Sequence, residues 1–157
     1  MTFLLILSIN FACKEKERSL VNTKWNLVGI VDTQTGEVKE LEPQDCNACY
    51  TIVFGVDSVF NETTWLNGNV EVESGWYRIF TGRTPGNFIA VWYRNDYGTG
   101  FFQIYSIGGT DAGEMGDGLL YRQILLKIQS FIVKDTSPRI LYLYYNDGKN
   151  YLKYKEI

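Results

Sequence analysis

Turn-forming pairs punctuate this chain at short intervals, and no other feature narrows its fold so far. Asn67-Gly68, Pro85-Gly86 and Asp147-Gly148 each separate two extended runs. Asn-Gly and Asp-Gly supply the positive φ of tight hairpins, and Pro-Gly suits the centre of a type II turn. Between such pairs the runs alternate. "TKWNLVGIVD" sets Trp25, Leu27 and Gly29 on one face and Val28 and Ile30 on the other. "CYTIVFG", "GWYRIF", "NFIAVWYR", "FFQIYSIGG" and "RILYLYY" extend the pattern. This spacing predicts an antiparallel meander of roughly seven to nine strands, curved or closed into a small barrel.

One segment departs from it. In "DGLLYRQILLKIQSF", Leu120, Ile124, Ile128 and Phe131 recur at helical spacing. They predict one helix near residues 117–131, with Asp117 as its amino-terminal cap. The fold class expected is mainly β with a minor α component, in one domain over residues 21–157.

Composition sets limits on chemistry. The net charge of −3 gives no attraction to a nucleic acid backbone. The chain has no His, which removes His-based triads, His-ligated zinc and the usual neutral-pH base. No acid, base and nucleophile converge in the sequence, so no enzymatic activity and no cofactor are expected.

The amino end carries an address. Residues 2–12, "TFLLILSINFA", form an apolar run too short for a membrane span, which needs about 20 residues. Ala12 precedes Cys13, and "KEKER" follows at once. A small residue and a cysteine ending an apolar run is the arrangement of a bacterial lipoprotein signal. The expectation is cleavage after residue 12, acylation of Cys13 and a polar tether over 13–20. A plain secretory signal and a first strand with a buried thiol are the alternatives. Several acyl chains make attachment stable, at about 0.8 kcal/mol per buried methylene. The location implied is the bacterial cell envelope, at the outer membrane, with the membrane as partner through Cys13.

The order of "LVNTKWNLVGI", "YTIVF", an Asn-rich hairpin, "FFQIYSIGGT", a helix and "SFIVKD…RILYLYY" resembles the META domain, over residues 20–157. "EPQDCNACYTIVF" is similar to a group of lipocalin-like bacterial lipoproteins. The resemblance implies a compact envelope β-structure with a helix between later strands. It carries over no catalytic residues.

Candidate sites are few. Cys46 and Cys49 form a C-x-x-C ahead of a strand rather than a helix, so the thiolate stabilisation of redox sites is missing. With no His, zinc lacks a ligand set, and a local disulfide is expected. Glu71 and Glu73 share a strand face roughly 6.6 Å apart, as any half-solvated strand would place them. Asp111, Glu114 and Asp117 lack the EF-hand spacing and suit helix capping. Lys134, Arg139, Lys149, Lys153 and Lys155 give the carboxy end a basic, solvated face, with an acidic partner or headgroups as the alternative.

The most suggestive feature is an echo: Trp76-Tyr77-Arg78 and Trp92-Tyr93-Arg94 flank the Pro85-Gly86 turn. Cross-strand packing explains it, and so does a ligand platform of Trp65, Trp76, Arg78, Trp92 and Arg94 with Tyr97 and Phe101 nearby. The function expected is a non-enzymatic, lipid-anchored binding or structural module, with an envelope protein or glycan as partner. The alternative is a carrier of a small apolar ligand inside the barrel.

Overall fold

The structure, a computed structural model, describes residues 19–46, 48–55, 60–61, 64–66, 69–71 and 76–157, with side chains for 19–46, 48–55 and 77–157. Its strands are β1 (Thr23–Asp32), β2 (Val38–Lys39), β3 (Thr51–Phe54), β4 (Phe60–Asn61), β5 (Thr64–Leu66), β6 (Asn69–Glu71), β7 (Trp76–Arg83), β8 (Phe88–Asp96) and β9 (Phe101–Gly109). The helix α1 (Gly118–Leu125) follows, then β10 (Ser130–Lys134), β11 (Ile140–Tyr145) and β12 (Asn150–Glu156).

Strands β1, β3, β7, β8, β9, β10, β11 and β12 pair in that order, and β12 returns to β1. Every pairing is antiparallel, and the closing one runs from Trp25↔Glu156 to Asp32↔Asn150. The sheet is therefore a closed ring of strands in chain order. Closure removes the exposed edges of an open sheet. The ring is weakest between β9 and β10, which share only the pair Ser130↔Phe101.

Alternation explains which residues point inward. On β11, Leu141, Leu143 and Tyr145 are buried while Ile140, Tyr142 and Tyr144 are half-buried on the outside. On β12, Leu152 and Tyr154 point in. A barrel of about eight strands has an interior just wide enough for side chains. Trp25, Ile52, Phe54, Phe80, Tyr93 and Phe102 pack this one. Rings continue the contact: Phe54 lies 5.1 Å from Phe80, Tyr93 4.9 Å from Phe102, and Phe102 5.6 Å from Phe131.

The helix is shorter than its sequence pattern suggests. It ends at Leu125; Ile128 is buried in the following turn, and Phe131 belongs to β10. Its core face is Tyr121, Ile124 and Leu125, with Leu120 only half-buried. The apolar stripe thus mixed a helical face with inward positions of a turn and a strand. Asp117 makes no side-chain cap; its Oδ2 instead accepts the backbone N–H of Glu42 at 3.1 Å.

Two local expectations also change. A β-bulge between Leu27 and Gly29 switches faces, so Leu27 and Ile30 join the core while Val31 is buried outside it. The Pro85-Gly86 turn is not type II, because Gly86 does not take the positive φ that type requires. Thr84 N–H donates to the Asn87 carbonyl at 2.8 Å instead. Asn67-Gly68 lies outside the described residues, but the strands it joins pair as expected, Leu66↔Asn69 and Trp65↔Val70. At the last hairpin Asn146 and Asp147 both adopt left-handed φ, 52° and 54°, and Gly148 follows at 79°.

Candidate functional site

The register of β7 and β8 decides what the repeated Trp-Tyr-Arg triplets can do. Arg78 pairs with Tyr93 and Ile79 with Trp92, so the triplets are offset rather than superposed. Tyr93 is a core residue, which puts Arg78 on the inward side, where its Nη1 donates to Asn95 Oδ1. Trp92 and Arg94 stand on the outer wall. The five residues of the expected platform are therefore not one surface: Trp92 and Arg94 share a face, and Arg78 lies across the sheet from them. The side chains of Trp65 and Trp76 lie outside the described residues.

The outer cluster has two further members: Tyr77, named in the triplet but not in the platform, and Tyr105, which sequence reading missed. Arg94 lies 4.3 Å above the centroid of Tyr77, a contact worth about 0.5–1 kcal/mol at a surface. Tyr77 in turn meets Tyr105, ring centroids 4.8 Å apart. Covered from both sides, Tyr77 is only 2% exposed although it faces away from the barrel core. Tyr105 is the extra residue of a bulge, since Trp92 pairs with Ser106 and Tyr93 with Ile104. A bulge re-aims a side chain, and nothing in the spacing of "FFQIYSIGG" marks it. Trp92 lies over Gly108, where an added Cβ would stand 3.1 Å from Cζ3 of the indole. The result is a half-buried Trp92 beside an exposed Arg94 and a Tyr105 at 38% exposure.

An open groove of about 530 Å³ lies where β9 parts from β10, between Gln103 and Ile104 on one side and Leu126 and Lys127 on the other. It opens at the surface, and its lining includes the core residues Phe102, Ile104 and Ile128. Tyr97 is tied to the start of the described chain, its hydroxyl accepting the N–H of Leu20 at 3.0 Å. Phe101 is exposed at the seam.

The other candidates have structural partners. Cys46 and Cys49 form a disulfide, Cα atoms 5.3 Å apart, that closes the turn before β3. Cys49 is buried. Glu114 accepts the Thr84 hydroxyl at 2.7 Å and pairs with Arg122 at 3.3 Å, while Asp111 is exposed. Among the described residues no three carboxylates, cysteines or histidines gather as metal ligands. Glu73 and the side chain of Glu71 lie outside them. Arg139 makes paired bonds to Glu156, stands over Trp25 and donates to the Ser19 carbonyl at 3.1 Å. Lys134 lies over Tyr142. Lys149 is exposed in the last turn.

Burial suppresses the ionisation of several tyrosines. Burial, then the Asp117 carboxylate, pushes the Tyr50 phenol up to about 12, and its hydroxyl donates to the Glu42 carbonyl. Burial also raises Tyr144, with Tyr151 and Tyr142 adding to it.

These features define a small closed antiparallel β-barrel with, among the described residues, one short helix. No family model and no curated protein matches the sequence. Among solved structures, the chain is similar to "NMR structure of the protein from Burkholderia xenovorans", at 19% identity and a TM-score of 0.60, over 88% of this chain and 83% of that one. At that identity the likeness concerns the fold alone. Among the described residues no helix is long and apolar enough to cross a membrane.

Proposed function

We propose that the protein is a non-enzymatic binding module of the bacterial cell envelope, META- or lipocalin-like, anchored to the outer membrane by lipid on Cys13. Cys13 and residues 1–12 lie outside the described residues, and the anchor rests on the sequence pattern. The docking face is the outer wall of β7–β9, where Arg94, Trp92 and Tyr105 are presented together. The single observation that carries this choice is the packed interior. Trp25, Phe54, Phe80, Tyr93 and Phe102 occupy the space a carrier would need for its ligand, which weighs against the small-ligand alternative.

Two measurements test the two parts. Intact mass and fractionation of the protein from its host should give a chain starting at Cys13, acylated, in the membrane pellet, and Cys13→Ser should release it. A soluble chain retaining residues 1–12 would overturn the anchor. For the wall, in-cell cross-linking from position 103 should capture an envelope partner, and Trp92→Ala with Arg94→Gln should abolish capture. Unchanged capture would overturn the choice of face.

A further inference from the structure

The far side of the barrel carries a second aromatic surface, built by β11 and β12. Their register puts Tyr144 opposite Tyr151 and Tyr142 opposite Lys153. Leu141, Leu143, Leu152 and Tyr154 fill the core, so these residues face out. Tyr142 and Tyr151 meet edge to face with centroids 5.0 Å apart, and Tyr144 lies 5.2 Å from Tyr151. The three rings form one half-exposed surface that contributes nothing to the interior.

Lysines frame it. Lys134 reaches from β10 to lie 5.2 Å over Tyr142, and Lys153 and Lys155 alternate with Tyr151 along β12. The outward positions of β11 and β12 are Ile140, Tyr142, Tyr144, Tyr151, Lys153 and Lys155, with no carboxylate among them. Glu156, next in line, is held by Arg139. On a chain of net charge −3 this wall is a local positive patch.

We propose that this wall binds an acidic polysaccharide. The C–H face of a pyranose ring carries slight positive charge and settles on the negative face of a tyrosine ring. Uronate carboxylates then meet the ammonium groups of Lys134, Lys153 and Lys155 in charge-assisted hydrogen bonds. A sugar polymer fits better than an acidic peptide, because tight peptide anchoring relies on pockets, and the outside of a barrel is convex. The proposal is independent of the anchor on Cys13 and of the wall around Trp92.

Titration calorimetry of purified full-length protein with a galacturonate octamer tests it, beside maltooctaose, polyglutamate and phosphatidylglycerol vesicles. The acidic sugar should bind, and maltooctaose at least about tenfold more weakly. Tyr142→Ala should weaken binding about tenfold or more, and Lys153→Gln with Lys155→Gln by a similar factor. Lys127→Gln, at the β9–β10 seam, should change nothing. Affinity should also fall several-fold between about 50 and 300 mM salt. Absence of binding overturns the proposal, and so does an equal effect of Lys127→Gln. Polyglutamate or vesicles binding as well as the sugar would overturn it too, assigning the wall to an acidic peptide or a lipid surface. Circular dichroism of Tyr142→Ala separates a lost surface from a lost fold, and Tyr151→Phe, which keeps the ring, should retain most of the affinity.

Discussion

Tyr121 on α1 and Tyr154 on β12 join hydroxyl to hydroxyl at 2.7 Å, and both residues are wholly buried. One phenol donates to the other, a hydrogen bond deep among apolar and aromatic side chains. The bond fixes the helix to the strand that closes the barrel. Tyr121→Phe or Tyr154→Phe alone strands one buried hydroxyl, and should cost about 1–3 kcal/mol in urea unfolding. The double replacement removes both polar groups and should cost less than the two single changes added together. Additive losses would show that the two hydroxyls act independently.

Alkaline pH acts on the same residues. Burial raises both phenols above the ordinary tyrosine range, and Tyr50 is pushed up to about 12. An acid whose folded pKa is raised stays neutral in the native state while the unfolded chain ionises. Stability from these groups is therefore whole below about pH 10 and is lost as pH rises from there toward the folded values. Thermal unfolding should show a Tm that is level near neutrality and falls above about pH 10. The double Phe variant should fall less steeply, since each titrating group contributes up to about 1.4 kcal/mol per pH unit. Equal slopes would place the alkaline loss elsewhere.

Much of this barrel was legible because alternation is a local property. The strands from "FIAVWYR" to "YLKYK" follow directly from it, as does the Asp147-Gly148 hairpin. The failures share a cause: long-range packing decided them. The bulge at Val28 and the one at Tyr105 each insert one residue, and a period of two gives no warning of an insertion. Phe131 fell into phase with the helix by chance, since inward residues of a turn and a strand extended its stripe. The Trp-Tyr-Arg echo suggested cross-strand packing with an Arg over a ring, and Arg94 does lie over Tyr77. The hairpin register, however, puts Arg78 on the other side of the sheet from Trp92 and Arg94. The wall of Tyr142, Tyr144 and Tyr151 was present in the alternation of "ILYLYY", but the adjacent lysines read first as solvated surface, with an acidic partner or headgroups as the alternative.

The Cys46–Cys49 bond closes a small loop between β2 and β3, where Cys49 N–H donates to the Cys46 carbonyl at 3.1 Å. A short loop restricts the unfolded chain only modestly. Replacing both cysteines by Ser should lower stability by about 2 kcal/mol in the chain-entropy account and leave the far-ultraviolet spectrum unchanged. Loss of folding would mean that the buried Cys49 sulfur matters more through packing than through the crosslink.

Gly86 shows how the β7–β8 turn depends on a distant loop. A Cβ built there would lie 2.4 Å from the carbonyl oxygen of Gly113, a backbone atom that cannot swing aside. That loop is held from several directions: Asn87 Nδ2 donates to the Ala112 carbonyl at 2.7 Å, the Ala112 N–H donates to Asn87 Oδ1 at 2.8 Å, and Glu114 accepts the Thr84 hydroxyl. Gly86→Ala must therefore push the two segments apart, with an expected cost of about 1–3 kcal/mol. Gly113→Ala is the matched comparison, because a Cβ there meets nothing within 4 Å. It should change stability by less than about 0.5 kcal/mol. Hydrogen exchange would localise the effect: faster exchange at the Asn87 and Ala112 amides in Gly86→Ala alone marks the contact as the cause. Uniform exchange across the barrel would instead show that the Gly86–Gly113 contact is not the cause of the loss.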